Sequence, residues 1–382
     1  MNILILTTIG GFVPQFEMND VKLLLRNGCS VHYASNFDYP VYEMDKQQLS
    51  EMGILMHPVC IRKSPAALRA NLRALRQVIT LIRKHDIKIL HCHNPIGGVI
   101  GRLAAHLSGR DVKVIYTAHG FHFYKGAPLL NWLLYFPVES FLARFTDRII
   151  TINREDYRRA RHMHLKEKGK TEIIHSVGLD FVKFRPRPEM REEMRQRLQV
   201  PEGNFHIVMA AELNENKNQK AIIEALHLLG RKNITLTLCG RGPALQELTG
   251  LVEKYGLTDQ VRFAGFLPHM EEVLQSADCF TFPSYREGLG MAAVEALACG
   301  VPVIAADNRG TREYMKHLVN GIVCSAKNPK AFAAAISRLQ DDPDFRHELA
   351  RAARESISEF NITETEKTMR RIYSQVTGRQ MV

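Results

Sequence analysis

Residues 279–307 read CFTFPSYREGLGMAAVEALACGVPVIAAD. An apolar run at 279–284 meets a loop with glycines at 288 and 290, and helix-forming residues then continue to Ala298. Gly300 and Pro302 close that helical stretch in the usual glycine-then-proline order, and PVIAAD (302–307) begins a second apolar run. A strand, a loop, a helix and a further strand within about thirty residues make one βαβ unit, whose strands run parallel.

The same alternation continues in both directions. Buried-strand patterns fall at 2–7, 30–35, 88–93, 113–118, 147–152 and 171–176, and again at 205–213, 233–242, 260–268, 279–284, 302–307 and 320–324. Helical sequence lies between them. In 66–85, for example, Leu68, Leu72, Leu75, Ile79 and Ile82 recur at three- and four-residue steps. The pattern predicts an α/β protein with parallel sheets. It is interrupted once, by FRPRPEMR (184–191), whose two prolines and charges mark a linker. The expected organisation is therefore a first domain at 1–183, a linker at 184–191 and a second domain at 192–362. A last helix, about 363–382, is expected to pack back on the first domain.

A chain of 382 residues suits two domains that each bury a core. Hydrophobic content of 45% and charged content of 24% fit a soluble globular enzyme. MNILILTTIGGF turns polar after six apolar residues and has no basic leader, so it reads as a first strand and not a signal peptide. No run approaches the roughly 20 apolar residues that span a bilayer. The seven cysteines are scattered without a CxxC, which points to a reduced, cytoplasmic protein. Residues 1–185 hold 26 Lys+Arg against 15 Asp+Glu, and the remainder holds 25 of each, so the whole net charge of +11 lies in the first half. Such a half suits an anionic partner or merely a solubilising surface. Nucleic acid is not expected, since no basic–aromatic interleaving or known binding module is present.

In open parallel sheets, ligands sit where strands end and helices begin. The polar and glycine-rich segments fall there: TIGG (8–11), HNPIGG (93–98), AHGFHFYKG (118–126), ELNENKNQ (212–219), CGRGP (239–243), GFLP (265–268) and SYREGLGM (284–291). The amides of Leu289, Gly290 and Met291 would be donors at a helix N-terminus, which favours an anion. Glu287 stands just before them and Glu295 eight positions on, so both carboxylates can flank one ligand. Each acid alone would equally suit a plain reading, as a capping acid and a surface helix residue.

EGLGMAAVE resembles the E-x7-E motif of retaining GT-B glycosyltransferases of family 4. NENKNQ (214–219) is similar to that family's donor-phosphate loop, with Lys217 at its lysine. CGRGP, with Arg241, resembles the G-x-G-P turn. RFAGFLP, with Gly265, Phe266 and Leu267, resembles the segment whose backbone meets the nucleotide base. TIGGF, with Gly11, and TAHGFHF, with His119, resemble the glycine loop and the histidine-bearing acceptor loop. The likeness spans essentially the whole chain and is strongest over 205–325. TAHGFHFYKGAPLLNW looks most like capsule and exopolysaccharide transferases.

The resemblance implies two Rossmann-like domains facing a central cleft, an N-terminal one for acceptor and a C-terminal one for donor. It implies transfer of a sugar, with retention, from a nucleotide donor such as a UDP-sugar to a polyprenyl-diphosphate-linked glycan. His119, Lys217 and Glu287 would be the catalytic residues. Gly11, Arg241, Gly265, Phe266, Leu267, Leu289, Gly290, Met291 and Glu295 would bind the donor, with no metal and no cofactor. One departure stands out: Glu212 occupies the position where the family usually has a donor-binding arginine, leaving Lys217, Arg241 or Arg286 to carry more of the diphosphate charge.

His91, His93, His119 and His122 suit zinc by residue type, but no carboxylate or cysteine partner is evident from spacing, and the same histidines suit a polar cleft. KGAPLLNWLLYFPVESFLARF (125–145) is too short to span a membrane. It could lie in an anionic interface or pack on the first sheet, and the resemblance to enzymes with polyprenyl acceptors favours peripheral membrane contact. A sugar-nucleotide 2-epimerase of the same fold and a non-catalytic sugar-nucleotide-binding protein are the rival readings. A dehydrogenase is not expected, because ILTTIGGF lacks G-x-G-x-x-G.

Overall fold

The computed structural model describes residues 1–38, 44–175 and 177–382. The chain forms two compact units. One contains Met1–Gly178 with Thr363–Val382, and the other contains Leu179–Ile362.

In the first unit, β1 (Asn2–Leu6), β2 (Ser30–Ser35), β3 (Leu55–Pro58), β4 (Ile89–His93), β5 (Lys113–Ala118), β6 (Arg148–Thr151) and β7 (Lys170–Ile173) form one sheet. Their order is β3-β2-β1-β4-β5-β6-β7, with every recorded pairing parallel. Helices on the faces exclude water from both sides, so the central strands are apolar at nearly every position. Ile3–Leu6 and Ile89–Leu90 are buried without alternation. The C-terminal helix Ile362–Thr377 adds Met369, Ile372 and Tyr373 to this unit's interior.

In the second unit, β8 (Phe205–Ala210), β9 (Ile234–Cys239), β10 (Val261–Gly265), β11 (Cys279–Phe282), β12 (Val303–Ala306) and β13 (Gly321–Cys324) form a parallel sheet. The order is β10-β9-β8-β11-β12-β13. Its core joins Ile207, Met209, Leu236 and Leu238 of the strands to Ile222, Leu226, Phe332 and Ile336 of the covering helices. In each sheet the strand order reverses once, between β1 and β4 and between β8 and β11. Connections on the two sides of such a point leave in opposite directions and open a crevice at the strand ends.

Three details differ from the sequence reading. Strand β3 has no counterpart in it, because this edge strand is four residues long, mostly solvent-touched and ends in proline, so it lacks an apolar run. In helix Leu68–Lys84 the buried residues are Ala74, Val78 and Ile82. Leu68 and Leu72, assigned to the same stripe, are 68% and 58% exposed, since they precede the turn at which the helix meets the core. The passage between units falls at Gly178–Leu179. The proline-bearing 184–191 segment lies inside the second unit, where the Arg187 amide donates to Gln275 and the Arg191 guanidinium pairs with Asp278 at 2.8 Å. The last residue of the 171–176 strand reading, Ser176, lies outside the described residues.

Candidate active site

In the second unit, the residues that follow β8 and β11 meet at the reversal point. Asn214 caps the single turn Glu215–Lys217 by accepting from the Lys217 amide at 3.0 Å. Asn218 then adopts a left-handed conformation, φ 57°, that short polar side chains tolerate. Its side-chain amide donates to the carbonyls of Pro283 (3.1 Å) and Ala326 (2.9 Å), fixing this turn to the ends of β11 and β13. The Tyr285 amide donates to the Asn216 carbonyl at 2.9 Å, and the Asn216 side chain donates to the Arg286 carbonyl at 3.0 Å.

This lacing brings the Lys217 ammonium to 2.5 Å from a Glu287 carboxylate oxygen, both side chains being largely shielded. The ammonium also lies 5.7 Å from the Phe282 ring centroid. Beside the pair, helix Met291–Ala298 begins at Gly290, with no side chain capping its first turn. Gly290 has φ 94°, and a Cβ there would lie 2.5 Å from the Phe282 ring. Only glycine fits both the dihedral and the space. A cation, a carboxylate and open helix amides are thus assembled around one point, a combination that holds an anion with attached hydroxyls.

The neighbouring loops join at the same sheet end. The Leu213 amide donates to the Arg241 carbonyl at 3.0 Å, and the Gly240 amide donates to the Gly265 carbonyl at 2.7 Å. Arg241 and Phe266 are exposed and Leu267 is half-buried. Glu295 lies one helix turn and more beyond the anion point. Burial, reinforced by the Glu271 charge and opposed by Lys183, pushes its carboxyl up to about 7. Glu212 is exposed, and its carbonyl accepts from the Gln219 side chain at 2.9 Å.

The loop after β12 supports the site, and the sequence reading gave its residues no role there. The Asn308 side chain donates to the Ser284 carbonyl (2.9 Å) and accepts from the amides of Gly310 and Thr311. The Arg309 guanidinium, almost buried, donates to the Glu287 carbonyl at 3.2 Å. A Cβ on Gly310 would come within 2.8 Å of Glu287 and Leu289. The buried Tyr314 hydroxyl donates to the Gly290 carbonyl at 3.3 Å. The contacts to Ser284, Glu287 and Gly290 each cross more than twenty residues of chain, with only N-R-G-T at a strand end as a local signal.

In the first unit Gly11 and His119 also converge. Gly11 has φ 83°, and the next residue, Phe12, sets its ring edge-on to His119 at 5.1 Å between centroids. A single π-helical turn, Val13–Glu17, follows. Glu17 sits 3.3 Å from His93 Nδ1 and 3.8 Å from His119 Nε2, and those two nitrogens are 3.2 Å apart. The carboxylate that spacing did not disclose is therefore Glu17, delivered by the turn after β1. Burial holds the His119 imidazole down at about 4 and lowers His93 as well, while burial and Asp20 raise the Glu17 carboxyl. The three ligand atoms are close enough together to share a metal ion.

Behind this cluster runs a buried polar chain. The Tyr373 hydroxyl donates to Asp20 at 3.2 Å and stands 2.7 Å from His91 Nδ1, and His91 Nε2 stands 2.7 Å from Thr117 Oγ1. With its proton given to Asp20, Tyr373 accepts from His91 Nδ1–H, leaving Nε2 to accept from Thr117.

Comparison with known proteins accords with this geometry. The family model described as Glycosyl transferases group 1 matches residues 190–356, and that described as Glycosyltransferase Family 4 matches 21–176. EpsD of Bacillus subtilis (strain 168), named as a glycosyltransferase, is 38% identical over 97% of this chain and 96% of its own. An Escherichia coli relative, named UDP-Gal:alpha-D-GlcNAc-diphosphoundecaprenol alpha-1,3-galactosyltransferase, is 25% identical over 80% of each chain. Anabaena HepE, solved with UDP, superposes with a TM-score of 0.81 at 21% identity, covering 98% of this chain and all of its own. The lipopolysaccharide glycosyltransferase WaaG does so with a TM-score of 0.75 at 17% identity, over 99% of this chain and all of its own. The chain belongs to the GT-B glycosyltransferases that carry family 4 and group 1 domains, and it is a transferase of sugars.

Proposed function

We propose that this glycosyltransferase moves a sugar from a UDP-sugar to a hydroxyl of a polyprenyl-diphosphate-linked glycan, with retention, in the assembly of a capsule or exopolysaccharide. The observation that carries the donor half is the meeting of Lys217, Glu287 and the open helix start at Gly290–Met291. Lys217 and the amides of residues 289–291 oppose the charge that grows on the diphosphate as the bond to the anomeric carbon breaks. Glu287 orients sugar hydroxyls, and on donor binding Lys217 divides its protons between that carboxylate and the phosphate. Glu295 accepts from the ribose, and Gly265, Phe266 and Leu267 line the base. Arg241, on the loop beside them, supplies positive charge where Glu212 replaces the family's arginine. His119, a neutral imidazole, positions the acceptor hydroxyl beside the Gly11 turn. No step assigned here calls for a metal. The choice of UDP and of a lipid-linked acceptor is supported by the ligand of HepE and by the named substrates of the E. coli relative.

The acceptor's lipid suggests where the enzyme works. Among the described residues no helix is long and apolar enough to cross a membrane. Helix Leu129–Ala143 nevertheless exposes Leu129, Leu130, Leu133 and Leu134 at 54–74%, with Lys125 and Arg144 exposed at its ends. Its other face is held down by the buried Arg102–Glu139 pair at 2.8 Å. Apolar residues outward beside lysine and arginine suit the surface of an anionic bilayer, so we place the protein peripherally on the cytoplasmic face of the membrane.

Incubating the protein with a panel of nucleotide sugars, without acceptor, tests the donor assignment. Slow release of UDP from one UDP-sugar is expected, and its absence from Lys217→Ala. Release of no nucleotide from any donor would overturn the assignment, as would conversion of UDP-N-acetylglucosamine to an epimer.

A further inference from the structure

A second group of histidines lies in the first unit, and no step assigned above uses it. His32 sits in β2 and His57 in the edge strand β3. The register pairs Leu55 with His32 and His57 with Ala34, so the two histidines project on the same face, two positions apart. His85 arrives from the other direction as the cap of helix Leu68–Lys84, which covers that face. The three rings pack with centroids 4.9–5.2 Å apart, and His32 Nδ1 stands 2.9 Å from His57 Nε2. One ring nitrogen from each histidine lies within 4.8 Å of the others.

We propose that His32, His57 and His85 form a binding site for a divalent transition-metal ion, zinc by preference, that staples the edge strand β3 to β2 and to the end of helix Leu68–Lys84. Zinc takes imidazole nitrogen at about 2.0–2.1 Å in a tetrahedron, which sets ligand atoms roughly 3.3–3.4 Å apart. The 2.9 Å between His32 and His57 nitrogens and the 4.8 Å limit on the set lie on either side of that spacing. Imidazole is also the donor that suits zinc, nickel and copper, where carboxylates and carbonyls suit harder ions.

The electrostatics prepare the nitrogens for a metal. Burial, with the neighbouring His57 and His85, holds His32 down at about 4, and burial lowers His57 too. Their lone pairs are therefore not occupied by protons at neutral pH. A single hydrogen bond between His32 and His57 uses one lone pair, whereas a cation uses one from each ring. The His85 carbonyl accepts from the Asn2 side chain at 2.6 Å, which fixes the backbone that presents the third ring. His57 and His85 are only half-buried, giving an ion an entry path and a water at the fourth position. The Lys84 charge, which also lowers His57, works against a cation, and the three-ring chelate must outweigh it.

The test uses the untagged full chain stripped with chelator, then titrated with zinc against a chromophoric competitor and separately with cobalt. One equivalent of zinc, a tetrahedral cobalt visible spectrum and a zinc-raised thermal midpoint are expected. His57→Ala/His85→Ala removes two half-buried rings and should fold, as circular dichroism will verify. It should weaken zinc binding by about 100-fold or more and abolish the midpoint shift. Glu17→Gln, in the other cluster that could share an ion, should leave stoichiometry unchanged. No stoichiometric binding by the wild-type chain overturns the proposal. Binding that survives in His57→Ala/His85→Ala, or is lost in Glu17→Gln, overturns it equally.

Discussion

Lys217 and Glu287 stand 70 residues apart in sequence and 2.5 Å apart in space. Replacing Lys217 by alanine removes the positive charge proposed to oppose the diphosphate, and kcat should fall by about 10²–10³-fold or more. The far-ultraviolet spectrum should be unchanged, which separates the effect from unfolding. Glu295 gives a pH signature. Its carboxyl is raised from 4.5 to about 7 by burial, and in the proposed ribose contact only the ionised form accepts both hydroxyls. UDP binding should therefore tighten as pH rises from 6 to 8, by up to about tenfold from this group alone. The phosphate of UDP titrates in the same range, so the measurement is the difference between wild type and Glu295→Gln. Calorimetric titrations with identical pH slopes for both proteins would remove Glu295 from the nucleotide site.

Among the elements, helix Leu129–Ala143 divides its roles by face. Glu139, Leu142 and Ala143 are buried, and the Arg159 guanidinium lies 4.6 Å from the Trp132 ring centroid. The leucines at 130, 133 and 134 contribute exposed apolar surface instead. Changing all three to serine should lower the thermal midpoint by no more than about 5 °C, because exposed positions away from such anchors cost within about 0.5 kcal/mol each. Pelleting with anionic vesicles should drop sharply, while slow hydrolysis of the donor stays unchanged. Equal pelleting by both proteins would show that this face does not meet lipid.

For the first unit as a whole, the C-terminal helix completes a core that residues 1–178 only begin. Tyr373, Asp20 and His91 come from the chain's end, its beginning and a central strand, yet all three are buried. Tyr373→Phe deletes the hydroxyl between His91 and Asp20, stranding two buried groups at a cost of about 1–3 kcal/mol. Burial raises the Asp20 carboxyl from 3.8 to about 7. Within that window the folded state keeps a proton that the unfolded chain has released, so the contribution of Asp20 to stability falls as pH rises from about 4 to 7. The buried Glu17 carboxyl, also raised, acts with the same sign. The buried His91, His93 and His119, held down by burial, act with the opposite sign below about pH 6.5. The measurement is therefore the difference between thermal melts of wild type and Asp20→Asn from pH 4.5 to 7.5: the wild type should lose stability relative to the variant as pH rises. Parallel pH profiles for wild type and Asp20→Asn would contradict a proton held on Asp20.

Local chemistry was enough to read the two α/β units, since buried parallel strands leave continuous apolar runs and their helices leave a three-to-four-residue rhythm. The same local reading singled out Glu287 and Gly290, because strand ends, helix starts and turn glycines each leave a mark within a few residues, whereas Lys217 was singled out by the resemblance of NENKNQ to the family's phosphate loop. Strand β3 escaped it, being short, half-exposed and closed by Pro58, and Leu68 was misjudged because periodicity does not tell where a helix meets its core. Glu17 beside His119, Arg309 beneath Glu287 and the three converging imidazoles of His32, His57 and His85 were decided by tertiary structure alone. Their partners are brought together by strand order and register, which depend on the packing of the whole sheet and leave no trace in any one stretch of chain.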